Sequence, residues 1–301
     1  MQLLYKPRTD ESGSIDEPMR VMVFFSGGAS SMKYMLENDP NHGKLYKVVA
    51  AFTDKQSAEK GIGIAKDKEV PVIILDRKTF YQEKNLNPKV FDNRKFYYEQ
   101  VCRDIEQFDP DIIALSGYMH IVSDPLLSEH ESHVFNVHPA PLHIFRKAKE
   151  EFYIPFEVFR AGEGGIPSDV KSLLEIIKKN GWKRAYTGPD AVTLAVLNGE
   201  EYTRATVHIL TKEVDGGPIL VQSKKFPVKR KSVTRKLREW NIGAVADYAR
   251  DDLQDEMKWG GDGPTYAKAL ELTSKGRLAI DDFTVSLDME ELPYYGFRIG
   301  E

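Results

Sequence analysis

Asn136 and His138 stand two residues apart in the apolar run Val134-Phe135-Asn136-Val137-His138, and Pro139 follows directly. Strand side chains alternate with period two, so a strand here turns a carboxamide and an imidazole to one face. Pro139 cannot donate to a sheet ladder and biases His138 towards an extended conformation. The strand is therefore predicted to stop there, with both groups at its C-terminal end, where open parallel α/β sheets bind ligands. A lone buried polar pair is more often a satisfied hydrogen-bonding feature than an active site. A third group shifts the balance: Asp215 lies in the turn Val214-Asp215-Gly216-Gly217-Pro218, after a strand that contains His208. A carboxylate within reach of a histidine raises its pKa and fixes its tautomer, and an imidazolium beside an amide donor suits a developing oxyanion. Amide, imidazole and carboxylate without a Ser or Cys nucleophile point to acyl transfer to an external nucleophile. Metal binding by His138, His208 and Asp215 is the competing use, but no spaced ligand motif supports it.

The elements that must position these groups read as alternating strands and helices. Residues 20–25 are an apolar run ending in Ser26-Gly27-Gly28-Ala29-Ser30-Ser31, after which Met32, Met35 and Leu36 recur at helical spacing. A glycine loop between strand and helix presents backbone N–H groups to an anion such as phosphate, although a tight turn alone would look the same. The spacing is not G-x-G-x-x-G and no Walker lysine is present, which disfavours NAD and ATP. Further strands are predicted at 46–52, 70–75 and 110–115, with a long amphipathic helix at 88–108. The fold class is thus α/β, a Rossmann-like, mostly parallel sheet with helices on both faces and a C-terminal antiparallel extension.

Four segments follow: a polar lead-in at 1–19, the core at 20–142, an insertion at 143–185 and the remainder at 186–301. The insertion is basic and aromatic (Phe145, Arg146, Lys147, Phe152, Tyr153, Phe156, Arg160) and includes the run Gly162-Glu163-Gly164-Gly165-Ile166-Pro167. It ends in a helix with Ser168 as N-cap and Val170, Leu173, Leu174, Ile176 and Ile177 as apolar face. The segment leaves the core directly after the Asn136 and His138 strand and is expected to shape the pocket through which the reacting nucleophile approaches; the alternative is that its apolar helix face serves a contact between subunits. Strands at 204–210 and 219–228 are predicted to form an antiparallel hairpin, followed by helices at 232–256 and 264–275 and one terminal strand at 278–287.

With 301 residues, 42 basic against 46 acidic side chains and a net charge of −4, the chain carries no electrostatic footprint for nucleic acid or an anionic membrane. The only cysteine, Cys102, excludes an intrachain disulfide and a cysteine-cluster metal site. The N-terminal residues lack an apolar core of signal-peptide length and no window approaches a membrane span, so a cytoplasmic protein is expected.

Three ordered motifs resemble the folate-dependent formyltransferases, closest to the glycinamide ribonucleotide formyltransferase branch. They are N-V-H-P at 136–139, T-V-H-I-L-T-K-E-V-D-G-G-P-I at 206–219 and L-S-G-Y-M-H-I-V-S at 115–123. The resemblance implies 10-formyltetrahydrofolate as formyl donor and a small, phosphorylated amine as acceptor, in one-carbon metabolism and purine biosynthesis. It implies that Asn136, His138 and Asp215 are catalytic. Met119, His120, Ile121 and Val122, with Thr211, Lys212, Glu213 and Val214, would line the folate pocket. Ser26, Gly27, Gly28, Ala29, Ser30 and Ser31 would hold the acceptor's phosphate. Asp262, four residues before Tyr266, would meet acceptor ribose hydroxyls, the alternative being an N-cap for the helix at Pro264. No metal is implied. The family arginine after Gly-aromatic-Met is His120 here, and the family has only a short loop where this chain has 143–184. Hydrolysis of the same folate, or a catalytically silent folate or nucleotide module, are the alternatives; transfer to a tRNA is disfavoured by charge.

Overall fold

Strands buried on both faces need continuous apolar runs, not alternating ones, and the runs read from the sequence assemble into such a sheet. The computed structural model describes residues 1–147, 153–156 and 169–301. The strands labelled here are β1 (Met19–Phe25), β2 (Tyr46–Thr53), β3 (Val72–Ile74), β4 (Ile112–Leu115), β5 (Val134–His138), β6 (Ile144–Lys147), β7 (Tyr153–Pro155), β8 (Trp182–Arg184), β9 (Thr206–Ile209), β10 (Ile219–Gln222) and β11 (Phe297–Arg298). Eight of them form the main sheet in the order β11-β10-β9-β5-β4-β1-β2-β3. Pairing is parallel from β5 through β3 and antiparallel for β5 with β9 and β9 with β10, which is the predicted hairpin.

The helices named below are α1 (Ser30–Glu37), α2 (Glu59–Asp67), α3 (Arg94–Ile105), α4 (Val170–Lys179) and α5 (Gly263–Ser274). One face of β1 sends Val21, Val23 and Phe25 into a core with Met32 and Met35 of α1 and Tyr266 and Leu270 of α5. The other sends Met22 and Phe24 against Tyr97, Tyr98, Val101 and Ile105 of α3. Gly61 lets α2 approach the first loop, because a Cβ there would stand 2.6 Å from the Gly27 carbonyl oxygen and inside the Phe25 ring.

Within 143–185 the described residues include a small antiparallel sheet, β7-β6-β8, with α4 packed on it through Val170, Leu173, Leu174 and Ile177. Asp169, not Ser168, caps α4: its carboxylate accepts from the Ser172 amide at 2.8 Å. Phe152, Arg160, the glycine run at 162–167 and Ser168 itself lie outside the described residues.

Elsewhere the structure corrects the sequence reading in four places. The lead-in is docked, with Leu4 buried, residues 2–3 paired to the strand Leu278–Asp281, and Arg8 bound to Asp111 at 2.6 and 2.9 Å. The helix expected at 88–108 begins only at Arg94, since Val90 and Phe91 face solvent and gain no burial; Phe91 instead lies under the Arg94 guanidinium at 4.7 Å. Residues 278–287 are two strands, not one, because Asp282 takes a left-handed φ of 52° and turns the chain between Leu278–Asp281 and Thr284–Leu287. The helices expected at 232–256 and 264–275 are instead Arg230–Arg238 and one continuous helical path from Ile242 to Ser274, which runs through wide π-type turns at Tyr248–Leu253 and Lys258–Asp262.

Candidate active site

Register brings the chemistry together. His208 of β9 pairs directly with Asn136 of β5, and Thr206 with His138. The Asn136 amide nitrogen lies 3.2 Å from His208 Nε2. His208 Nδ1 lies 2.9 Å from the Ile209 carbonyl, which only accepts, so that nitrogen carries hydrogen. The turn after β9 folds back over these groups. Asp215 adopts a left-handed φ of 51° and places Oδ2 3.5 Å from His138 Nδ1 and Oδ1 3.5 Å from His208 Nε2. All three ring and carboxyl groups are buried.

His138 is held from its other side as well. Nε2 donates to the Tyr186 carbonyl at 2.7 Å, which fixes the tautomer and turns Nδ1 towards Asp215. The net direction of its pKa differs from the sequence reading: burial pushes it below the ordinary histidine value, and the Asp215 charge offsets that only in part. Burial by itself would raise Asp215, but the neighbouring His208 and His138 rings, with the Gly188 amide donating at 2.8 Å, hold it well below the usual carboxylate range. At neutral pH this is an ionised carboxylate beside a neutral, oriented imidazole.

The glycine loop closes on the same edge of the sheet. Ser26 Oγ donates to Asp54 at 2.5 Å and accepts from the Met119 amide at 2.8 Å, so Ser26 ties three strand ends together. Ser31 is buried, and the Met32 amide is 3.3 Å from Ser116 Oγ. Gly27, Gly28 and Ala29, the last at a φ of 48°, lead into α1, whose first N–H groups have no acceptor within the helix. Asp262 lies buried inside the helical path with αR backbone and no capping bond, so it is no N-cap. Its Oδ1 has no hydrogen-bond partner, and burial pushes its pKa up to about 7.

Met119, Ile121 and Val214 are exposed apolar side chains, whereas His120 and Val122 are buried. Thr211 Oγ1 donates to the Glu213 carbonyl, Lys212 pairs with Asp124 at 2.6 Å and Glu213 with Lys178 of α4 at 2.5 Å. His120 opens on a cavity of about 880 Å³ lined also by Arg77, Lys78, Tyr81, Lys89 and Arg94. His120 Nδ1, Tyr81 Oη and one Arg94 nitrogen are buried without partners. Burial, then the charges of Arg77 and Arg94, hold His120 at about 3. Cys102 is no competing nucleophile, since burial and Glu129 push its thiol up to about 12.

Sequence reasoning missed Arg77, Tyr81 and Arg94, which come from helices between the motifs and carry no spacing signal. It also missed Lys60, whose Cδ is 3.7 Å from a Cβ built on Gly28, and Trp259, whose ring has Lys33 and Lys60 ammonium groups at 5.6 and 6.0 Å.

Residues 19–151 match the family described as formyl transferase, the stretch that runs from β1 through Asn136 and His138. This stretch is similar to the formyl transferase family. Phosphoribosylglycinamide formyltransferase of Escherichia coli (strain K12) is 21% identical over 283 residues, which covers 94% of this chain and 100% of the relative. Two solved structures share the fold. Phosphoribosylglycinamide formyltransferase of Coxiella burnetii aligns over 94% of this chain and 99% of its own at 18% identity with a TM-score of 0.60. A formyltetrahydrofolate deformylase of Pseudomonas syringae pv. tomato aligns over 90% of this chain and 66% of its own at 17% identity with a TM-score of 0.56. Among the described residues, no helix is long and apolar enough to cross a membrane.

Proposed function

We propose that this formyltransferase moves the formyl group of 10-formyltetrahydrofolate to the amine of a small phosphorylated acceptor, of the glycinamide ribonucleotide kind. The observation that carries the reading is Asp215 reaching both His138 and His208 at 3.5 Å while His208 orients the Asn136 amide at 3.2 Å. An attacking amine adds to the formyl carbon, and the Asn136 N–H donates to the oxyanion. Neutral His138 accepts the amine's proton, is stabilised as imidazolium by Asp215, and returns the proton to the departing folate nitrogen.

The cavity beside His120 fits the donor's glutamate end, because four cationic side chains and three unpartnered polar atoms face a space large enough for it. Met119, Ile121, Val122 and residues 211–214 take the flatter part of the donor. The acceptor's phosphate is assigned to residues 27–30 with Lys60 beside them, and its hydroxyls to Asp262, whose free Oδ1 needs donors. We read 143–185 as an inserted lobe on the acceptor side, because Tyr186 at its exit touches His138. A location in the cytoplasm and a soluble acceptor fit this chemistry.

The test is release of tetrahydrofolate from the 10-formyl donor with and without a panel of amines. Amine-dependent release is expected, and release with water alone would replace transfer by hydrolysis. Asp215→Asn should cut turnover by about 10²-fold or more, and adding His138→Ala should cost little further, since groups acting as a unit are not additive. Near-normal turnover of Asp215→Asn at saturating substrates would remove the role assignment.

A further inference from the structure

Asp215 cannot face two imidazoles unless its turn is held in place, and the hold comes from Arg184, the final residue of β8. Arg184 is buried, and its guanidinium forks across the turn: one terminal nitrogen donates to the Asp215 carbonyl and the other to the Gly217 carbonyl at 2.8 Å. Tyr294 completes the fork by accepting from Nε at 3.2 Å and from the second terminal nitrogen at 2.6 Å. Tyr294 is itself fixed by stacking on Phe156, with ring centroids 3.9 Å apart and 23° between planes. Two residues past Arg184 the Tyr186 carbonyl receives His138, and two further on the Gly188 amide meets the Asp215 carboxylate. The segment 184–188 therefore touches the turn, the carboxylate and the imidazole at once.

We propose that Arg184, seated by Tyr294, is a positioning residue for formyl transfer: it fixes the 215–217 turn so that Asp215 faces His138 and His208 together. The proposal rests on the formyl-transfer reading of the site. A buried arginine donating to two carbonyls of one turn does what a general surface cation cannot: it sets the angle of the peptide that carries the carboxylate.

Among the described residues, the charged or titratable neighbours of His138 are Asp215, His208 and Arg184. This gives the proposal a sign of its own. Removing a cation near His138 would by itself raise the pKa of the imidazole. Releasing the turn removes the Asp215 carboxylate from its side and lowers it. Arg184→Lys keeps the charge and loses the fork; Arg184→Met loses both; Tyr294→Phe removes one hydroxyl and leaves the bonds to both carbonyls.

The experiment measures kcat and KM for both substrates, and the ring titration of His138 by NMR, in wild type and the three variants. For Arg184→Lys and Arg184→Met we expect kcat per folded molecule to fall by up to about 10²-fold with KM little changed, as for a small displacement of a catalytic group. His138 should titrate at lower pH in Arg184→Lys, which keeps the cation, and Tyr294→Phe should show the same pattern in weaker form. An unchanged kcat in Arg184→Lys, or a His138 titration that stays or moves up in Arg184→Lys, overturns the proposal. If the Arg184 variants do not fold, Tyr294→Phe decides on the same two readouts. Absence of formyl transfer in wild type would overturn the functional reading, and the His138 titrations would still decide whether Arg184 holds the turn.

Discussion

Asp262 shows how a single side chain can be costly to the fold and useful to the site. A carboxyl with an ordinary pKa near 3.9 when unfolded and about 7 when folded opposes folding once the unfolded chain ionises. The cost begins as pH rises above about 4 and is complete above about pH 7, where it reaches at most about 4 kcal/mol. Asp262→Asn, which never ionises, is therefore expected to melt higher than wild type at pH 8 and alike at pH 4. The same change should weaken the acceptor and leave the donor untouched. Equal melting at pH 8 would mean that a partner satisfies the carboxylate. The residue was legible from its place before Tyr266, but its state was not. Reading it as an N-cap assumed that a helix starts at Pro264, whereas π-type turns carry the helix through Gly260 and Gly261. Similarly, the Asn136 and His138 pairing followed from period two alone. The tilt of the His138 pKa did not, because burial depends on what the rest of the chain stacks above the strand.

At the scale of elements, the first loop is shaped less by its own glycines than by one in α2. Gly28 has ordinary room for a Cβ, whereas Gly61 has none against the Gly27 carbonyl and the Phe25 ring. Gly61→Ala is expected to cost about 1–3 kcal/mol by overpacking, read by urea unfolding. It should also raise the acceptor's KM more than the donor's, because the shifted carbonyl belongs to the loop assigned to phosphate. Unchanged stability together with an unchanged KM would show that α2 does not set the loop. The strand and helix sequence of the core was readable because two-sided burial leaves long apolar runs such as 21–25 and 112–115. The docking of residues 2–4 was not, since short strands that pair to a distant hairpin have no periodic signal.

For the whole molecule, three buried histidines favour the neutral form: His138, and His120 and His143 at about 3. His143 is lowered by burial first and then by Arg298, Arg204 and Arg184. Arg298 can only donate to its Nε2, at 3.3 Å, so that nitrogen carries no hydrogen and the ring is neutral. Each such group binds a proton more readily unfolded than folded, so stability is full above about pH 6.5 and is lost as pH falls below it. Between pH 7 and pH 5 each of the two strongest contributes a loss of about 2 kcal/mol. Unfolding free energy from urea titration should fall over that interval, and His143→Gln should remove about half of the fall due to this pair. A flat profile from pH 7 to 5 in Asp262→Asn, which lacks the opposing titration of that carboxyl, would contradict neutral burial. Mild acid thus destabilises this protein through its histidines, against an opposing gain as Asp262 takes up its proton.

The pairing of β6 with β8 has one more implication, for how such a chain can be lengthened or rebuilt. Lys147 faces Trp182 and Phe145 faces Arg184 across the ladder, so the strand leaving the catalytic edge and the strand returning to it are nearest neighbours. Whatever spans them closes on a fixed two-stranded stem, and the entropy of closing it grows only with the logarithm of its length. The interval in sequence between His138 and Asp215 is thereby decoupled from their separation in space. Recombination or design could exchange the hairpin's cargo, keeping Arg184 and Tyr186 in place, and hand the same catalytic groups a different vestibule.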